Sequence, residues 1–128
     1  GAPVGAGAYV LQEADDAVVT LVGTGSEVSV CVEAAAALAG QGVSARVVSF
    51  PSWELFADAD ADTQEAVMRP ELPSLAVEAG VAQGWHQWVD DVVSIDRFGA
   101  SAPGGTVMRE LGINVDNVVA RARTLIGA

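Results

Sequence analysis

Lysine is absent from this 128-residue chain: its six basic side chains are all arginines, set against 17 carboxylates and one histidine. That absence removes a P-loop lysine, a Schiff-base lysine and a serine-lysine dyad from the chemistry on offer. The formal net charge of −11, with the arginines scattered rather than gathered in a patch, argues against nucleic acid or an anionic membrane surface as a partner. A single cysteine, Cys31, permits neither an internal disulfide nor a thiolate cluster for zinc. Such usage suits a reducing compartment, and the cytoplasm is the default expectation. No apolar run approaches the ~20 residues of a membrane span. Gly1-Ala2-Pro3-Val4 lacks a charged segment followed by an apolar one, so the chain reads as soluble and unexported. It starts on a loop-like glycine segment, which predicts a fragment or processed chain with residues 1–7 as a linker remnant.

What is present is apolar and strongly patterned. Half of the residues are apolar, and the length fits one packed domain over residues 1–128. Ala8 to Leu11 is a short β-like run, and Ala17 to Val22, closed by Gly23, reads as a strand buried on both faces. Thr24 to Glu27 fits a T-x-x-E capping box, after which Val28, Cys31, Ala35 and Leu38 recur at helical spacing up to Gly40. Ala45 to Phe50 repeats the strand signal, and Pro51-Ser52 opens a short helix through Trp53, Leu55 and Phe56. Thr63 to Met68 predicts a helix that stops before the Arg69-Pro70 bond. Strands are expected at Leu72 to Val77 and Val92 to Ile95, with helices at Gly80 to Val89, Thr106 to Leu111 and Val115 to Ile126. Strands alternating with helices predict a three-layer α/β/α fold with a mostly parallel five-stranded sheet.

Each candidate site has a plain structural reading beside the functional one. Gly23-x-Gly25-x-x-Val28 lies where a dinucleotide fingerprint would. Its third small residue is missing, Glu27 brings the wrong charge, and the strand ending Ser49-Phe50-Pro51 has no acid for a ribose, so a tight turn before a helix is the simpler reading. Asp58, Asp60 and Asp62 imitate half a calcium loop, but Thr63 and Arg69 stand where glycine and glutamate are required, leaving a solvated acidic face. His86, beside Trp85 and Trp88, is the only imidazole for acid-base work, with Glu78 or Asp90 to orient it. Gly99-x-Ser101 lacks the second glycine of a nucleophile elbow, and Ser101 reads as a cap or turn residue. Asp96 and Arg97 follow a strand end, where an arginine binds phosphate or an ion pair holds a turn. Gly23, Thr24, Gly25, Ser26, Arg97 and Ser101 are therefore the candidate anion or regulatory site.

The run from Ser94 to Gly105, SIDRFGASAPGG, is the most specific wording in the chain. Together with Gly23-Thr24-Gly25-Ser26-Glu27-Val28, Pro51-Ser52-Trp53-Glu54-Leu55-Phe56, Val77-Glu78-Ala79-Gly80 and Glu110-Leu111-Gly112-Ile113-Asn114, it resembles the third, C-terminal domain of transketolases. The resemblance runs from Gly7 to Val119. It departs from the family's pattern only in shortened connections around Arg69 to Leu75 and Trp88 to Ser94. The resemblance implies a parent enzyme that transfers a two-carbon ketol unit between sugar phosphates. Such enzymes use thiamine diphosphate and a divalent cation, magnesium or calcium, held between the first and second domains of a homodimer. This chain resembles neither of those domains and lacks their G-D-G motif and cofactor-activating glutamate segment. It is therefore expected to contain no catalytic, cofactor-binding or metal-binding residue. The implied role is packing on the second, pyrimidine-binding domain, in assembly or regulation. The alternative is a stand-alone module for a phosphometabolite, or a small subunit of a split thiamine enzyme. Catalysis through His86 or Ser101 is a third reading.

Overall fold

A computed structural model describes residues 8–24, 27–50, 53–78, 89–94 and 114–127. Five strands form one sheet in the order β1-β3-β2-β4-β5, with β1 Tyr9–Gln12, β2 Val19–Gly23, β3 Ala45–Ser49, β4 Ser74–Glu78 and β5 Asp91–Ser94. Strands β2 to β5 pair in parallel, whereas β1 lies antiparallel on β3. The helices are α1 Glu27–Gly40, α2 Trp53–Asp58, α3 Ala61–Met68 and α4 Val115–Ile126.

Alternation along the strands splits the interior into two layers. Val19, Leu21, Val47, Leu75, Val77 and Val93 pack on one face against Cys31, Ala34, Ala35 and Leu38 of α1 and Val118, Val119 and Ala122 of α4. The opposite face brings Val22, Val48, Ala76 and Val92 against Phe50, Phe56 of α2, and Val67 and Met68 of α3. Phe50 and Phe56 meet edge to face, with ring centroids 4.9 Å apart, an arrangement favoured by the ring quadrupoles. The fold is thus α/β/α with a mostly parallel sheet, as the alternating pattern predicts.

Several boundaries differ from the sequence expectation, each for a local reason. Helix α1 begins at Glu27, whose N–H donates to the Thr24 carbonyl at 3.0 Å. Strand β4 begins at Ser74 rather than Leu72, because Leu72 N–H closes a turn onto Arg69 O at 2.9 Å and Pro73 has no donor for a ladder. Helix α3 does end at Met68, but Arg69 adopts φ 44°, so that its N–H reaches Glu65 O at 2.8 Å. This left-handed cap is unusual for a residue preceding proline. Helix α4 matches its predicted span; Asn114 Oδ1 caps it by accepting from Asn117 N–H, and Gly127 at φ 75° closes it. The predicted helices at Gly80 to Val89 and Thr106 to Leu111 fall outside the described residues, Val89 apart. Among the described residues no helix is long and apolar enough to cross a membrane.

Strand β2 lies between β3 and β4, so the chain leaves its C-terminal end in one direction and returns past it in the other. Gly23 sits at that end. A Cβ there would stand 3.0 Å from both N and Cα of Val28 and 3.1 Å from Cys31 Sγ. Glycine is required because α1 crosses the strand end at backbone distance. Gly23→Ala is expected to destabilise the fold by about 1–3 kcal/mol through overpacking, read from urea unfolding; an unchanged midpoint would show that α1 moves aside freely.

Candidate functional site

The densest polar constellation was not singled out in the sequence. Arg46, in the middle of the predicted strand Ala45 to Phe50, has a side chain with no exposure to solvent. Its Nε donates to Glu13 Oε1 at 2.8 Å, and one terminal nitrogen donates to Glu13 Oε2 at 3.0 Å. That same nitrogen reaches Ala66 O at 3.3 Å, while the other donates to Thr20 Oγ1 at 3.1 Å. One guanidinium thereby joins the β1–β2 loop, β2, β3 and α3. Arg69 adds a second positive charge 3.6 Å from Glu13 Oε1 and pairs with Glu71 at 3.0 Å. The hydrogen bonds from Arg46 are the largest influence on Glu13 and hold its carboxyl below the ordinary glutamate range, against the opposing effect of its partial burial.

Beside this cluster opens a cleft of about 650 Å³, lined by Val10, Leu11 and Glu13 on the β1 side and Asp60, Asp62, Thr63 and Ala66 on the α3 side. Asp60 caps α3, its Oδ1 accepting from Thr63 N–H at 2.7 Å. The alternating acids therefore start a helix here, and among the described residues no group of three or more His, Cys, Asp or Glu side chains is placed to hold a metal ion.

The other sequence candidates separate. Gly23 and Thr24 stand at the end of β2, at the switch point of the sheet, whereas Gly25, Ser26, Arg97 and Ser101 lie outside the described residues. His86, Trp85 and Trp88 lie outside them too. Asp90, a candidate orienter of His86, binds Ser74 instead: its Oδ2 accepts from Ser74 N–H at 2.9 Å and its own N–H donates to Ser74 O at 3.0 Å, which pins β5 beside β4. Asp91 pairs with Arg121 of α4 at 2.6 Å. Burial pushes the Cys31 thiol up to about 12, helped by the Glu27 carboxylate, so it acts as a small apolar side chain.

The family model described as the transketolase-like TK C-terminal domain matches residues 7–114. The chain belongs to this family. The transketolase of Nostoc sp. (strain PCC 7120) is 45% identical over 97% of the chain, and that of Halalkalibacterium halodurans 47% identical over 96%. In the solved transketolase from Leishmania mexicana, 97% of this chain superposes with a TM-score of 0.89 at 40% identity. The chain spans only 19% of the length of the first two relatives and 18% of the third. This transketolase C-terminal domain shares the fold of the solved relative, and Arg46 and Asp90 tie its mixed sheet together. Arg46 is the one residue of the constellation with a readable signal, a charge in an otherwise apolar strand; its partner Glu13 has none.

Glu13→Gln tests the cluster. At neutral pH the variant is expected to lose about 1–2 kcal/mol of unfolding free energy, a value reduced because Glu13 is 44% exposed. The folded pKa of Glu13 lies below its unfolded one, so the native state binds fewer protons between them and stability rises with pH across that window. The carboxylate's contribution is therefore present above the unfolded pKa and lost as pH falls through the folded pKa. Urea denaturation at a series of pH values should show the wild type and Glu13→Gln converging in acid; a constant gap would refute the assignment.

Proposed function

We propose that the chain is the C-terminal domain of a transketolase and that it serves its parent through packing and assembly rather than chemistry. In this reading residues 1–128 are one domain that docks on the second, pyrimidine-binding domain of a cytoplasmic homodimer. The other domains hold thiamine diphosphate and a magnesium or calcium ion, and there the two-carbon ketol unit passes between sugar phosphates. The observation that carries the proposal is the family match over residues 7–114 of a chain that spans 18–19% of its relatives' length. Arg46 is committed to Glu13, Thr20 and Ala66, Asp90 to Ser74, Arg121 to Asp91, and Asp60 to its helix. The residues described do not fit the cofactor: they bring together no metal-holding cluster, and the best-placed guanidinium is buried and already bonded to Glu13, Thr20 and Ala66.

Exchange of the corresponding C-terminal segment of the Nostoc transketolase for this chain tests the proposal. The chimera is expected to dimerise and to retain ketol transfer from a ketose phosphate to an aldose phosphate. The chain by itself, supplied with thiamine diphosphate and magnesium, is expected to transfer none. Turnover by the chain alone, or a folded dimeric chimera without transfer activity, would overturn it.

The position of Gly23 and Thr24 at the switch point favours a second reading, since crevices at strand ends of open α/β sheets take ligands. An anionic phosphometabolite would then bind among Gly23, Thr24, Gly25, Ser26, Arg97 and Ser101, in a stand-alone module or a small subunit of a split thiamine enzyme. Thermal melts with millimolar inorganic phosphate and sugar phosphates decide it. A saturable rise in Tm lost in Arg97→Ala would establish the anion site, and an unmoved Tm would remove it.

A further inference from the structure

We propose that Glu13 is a latch that joins β1 and α3 into one flap, able to leave the sheet without unfolding it. Both elements are lightly anchored. Strand β1 is an edge strand of four residues, paired to β3 alone among the described strands. Its register slips between Val10 and Gln12, and none of its residues is fully buried. Helix α3 buries only Val67 and Met68 of its eight residues. Every residue of β2, by contrast, is buried between two parallel neighbours. Local opening is drawn from segments with few buried contacts, which sets β1 and α3 apart from the centre of the sheet.

What couples the two is the charge they jointly cover. Glu13 directly follows β1, so lifting the strand draws the carboxylate away from Arg46, where it accepts at 2.8 and 3.0 Å. The guanidinium, whose side chain has no exposure to solvent, would then be a buried ion without its counterion, a strongly disfavoured state. Water reaches it only if its cover moves as well. Helix α3 is part of that cover, since Ala66 O accepts from the same terminal nitrogen at 3.3 Å. Glu13 also stands 3.6 Å from Arg69, whose N–H closes α3 onto Glu65 O at 2.8 Å. Departure of Glu13 therefore loosens α3 at Ala66 and at its cap together. Coupling of this kind is reciprocal, so unwinding α3 releases β1 by the same free energy.

Hydrogen exchange of the 15N-labelled chain through a series of sub-denaturing urea concentrations tests the latch. The protected amides of β1 and those of Val67, Met68 and Arg69 are expected to share one opening free energy and one urea dependence. They should exchange on the order of tenfold faster than Leu21 and Val22 of β2. Glu13→Gln should speed exchange in β1 and α3 together, by about tenfold. Asp60 is exposed and caps α3 from the far end of the helix, so Asp60→Ala weakens the helix without touching the core. That variant should speed the β1 amides about fivefold, by the same factor as those of α3. Separate opening free energies for β1 and α3, β1 amides indifferent to Asp60→Ala, or exchange of both elements only at the rate of β2 would each overturn the proposal.

Discussion

The guanidinium of Arg46 is the point on which the remaining structure depends, because a full charge with no exposure to solvent is tolerable only where its donors are met. Desolvating such an ion costs several kcal/mol. The bidentate Glu13 carboxylate offsets that cost with two charge-assisted hydrogen bonds of fixed geometry. Glu13 must therefore stand over β3, and this fixes how the chain leaves β1. The bulge at Leu11 absorbs the resulting change of register. Thr20 Oγ1 and Ala66 O accept from two further donors, so the same ion also ties β2 and α3 to the sheet. The cleft exists because these constraints bring an edge strand and a short helix together with a gap between them.

Away from Arg46 the fold is conventional in its physics. Strands buried on both faces divide their side chains between α1 with α4 and α2 with α3. Gly23 permits α1 to cross the end of β2 without a Cβ in its path. The polar groups at strand ends and helix starts are spent on caps and clamps, as Asp60, Asn114 and Asp90 are.

Much of this architecture was legible. The helix Val115–Ile126 combines an amphipathic period with Asn114 before it and Gly127 after it, so its two ends are marked by residue type. The strand Val19–Gly23 was visible within the predicted run Ala17 to Val22, because apolar residues follow one another there without a helical period. The β4 boundary was less so: Leu72 suits a strand, and it is the turn onto Arg69 that removes it. Gly23 was readable as the close of a strand, while its contact with Val28 was not, since that needs the crossing of α1. Four of the six candidate anion-site residues fall outside the described residues, leaving Gly23 and Thr24 placed at the switch point.

Local pattern, which needs only neighbours along the chain, determined the α/β alternation, the helix caps and the exclusion of lysine-dependent chemistry. The wording around Gly23, Pro51 and Ser94 pointed to the family. The antiparallel placement of β1 was decided only by tertiary structure, because a four-residue apolar run carries no sign of its direction. So was the pairing of Arg46 with Glu13, 33 positions apart. A charge in a strand says that it will need a partner. Which carboxylate supplies it depends on where the sheet brings the chain back, and that is set by the packing of the whole.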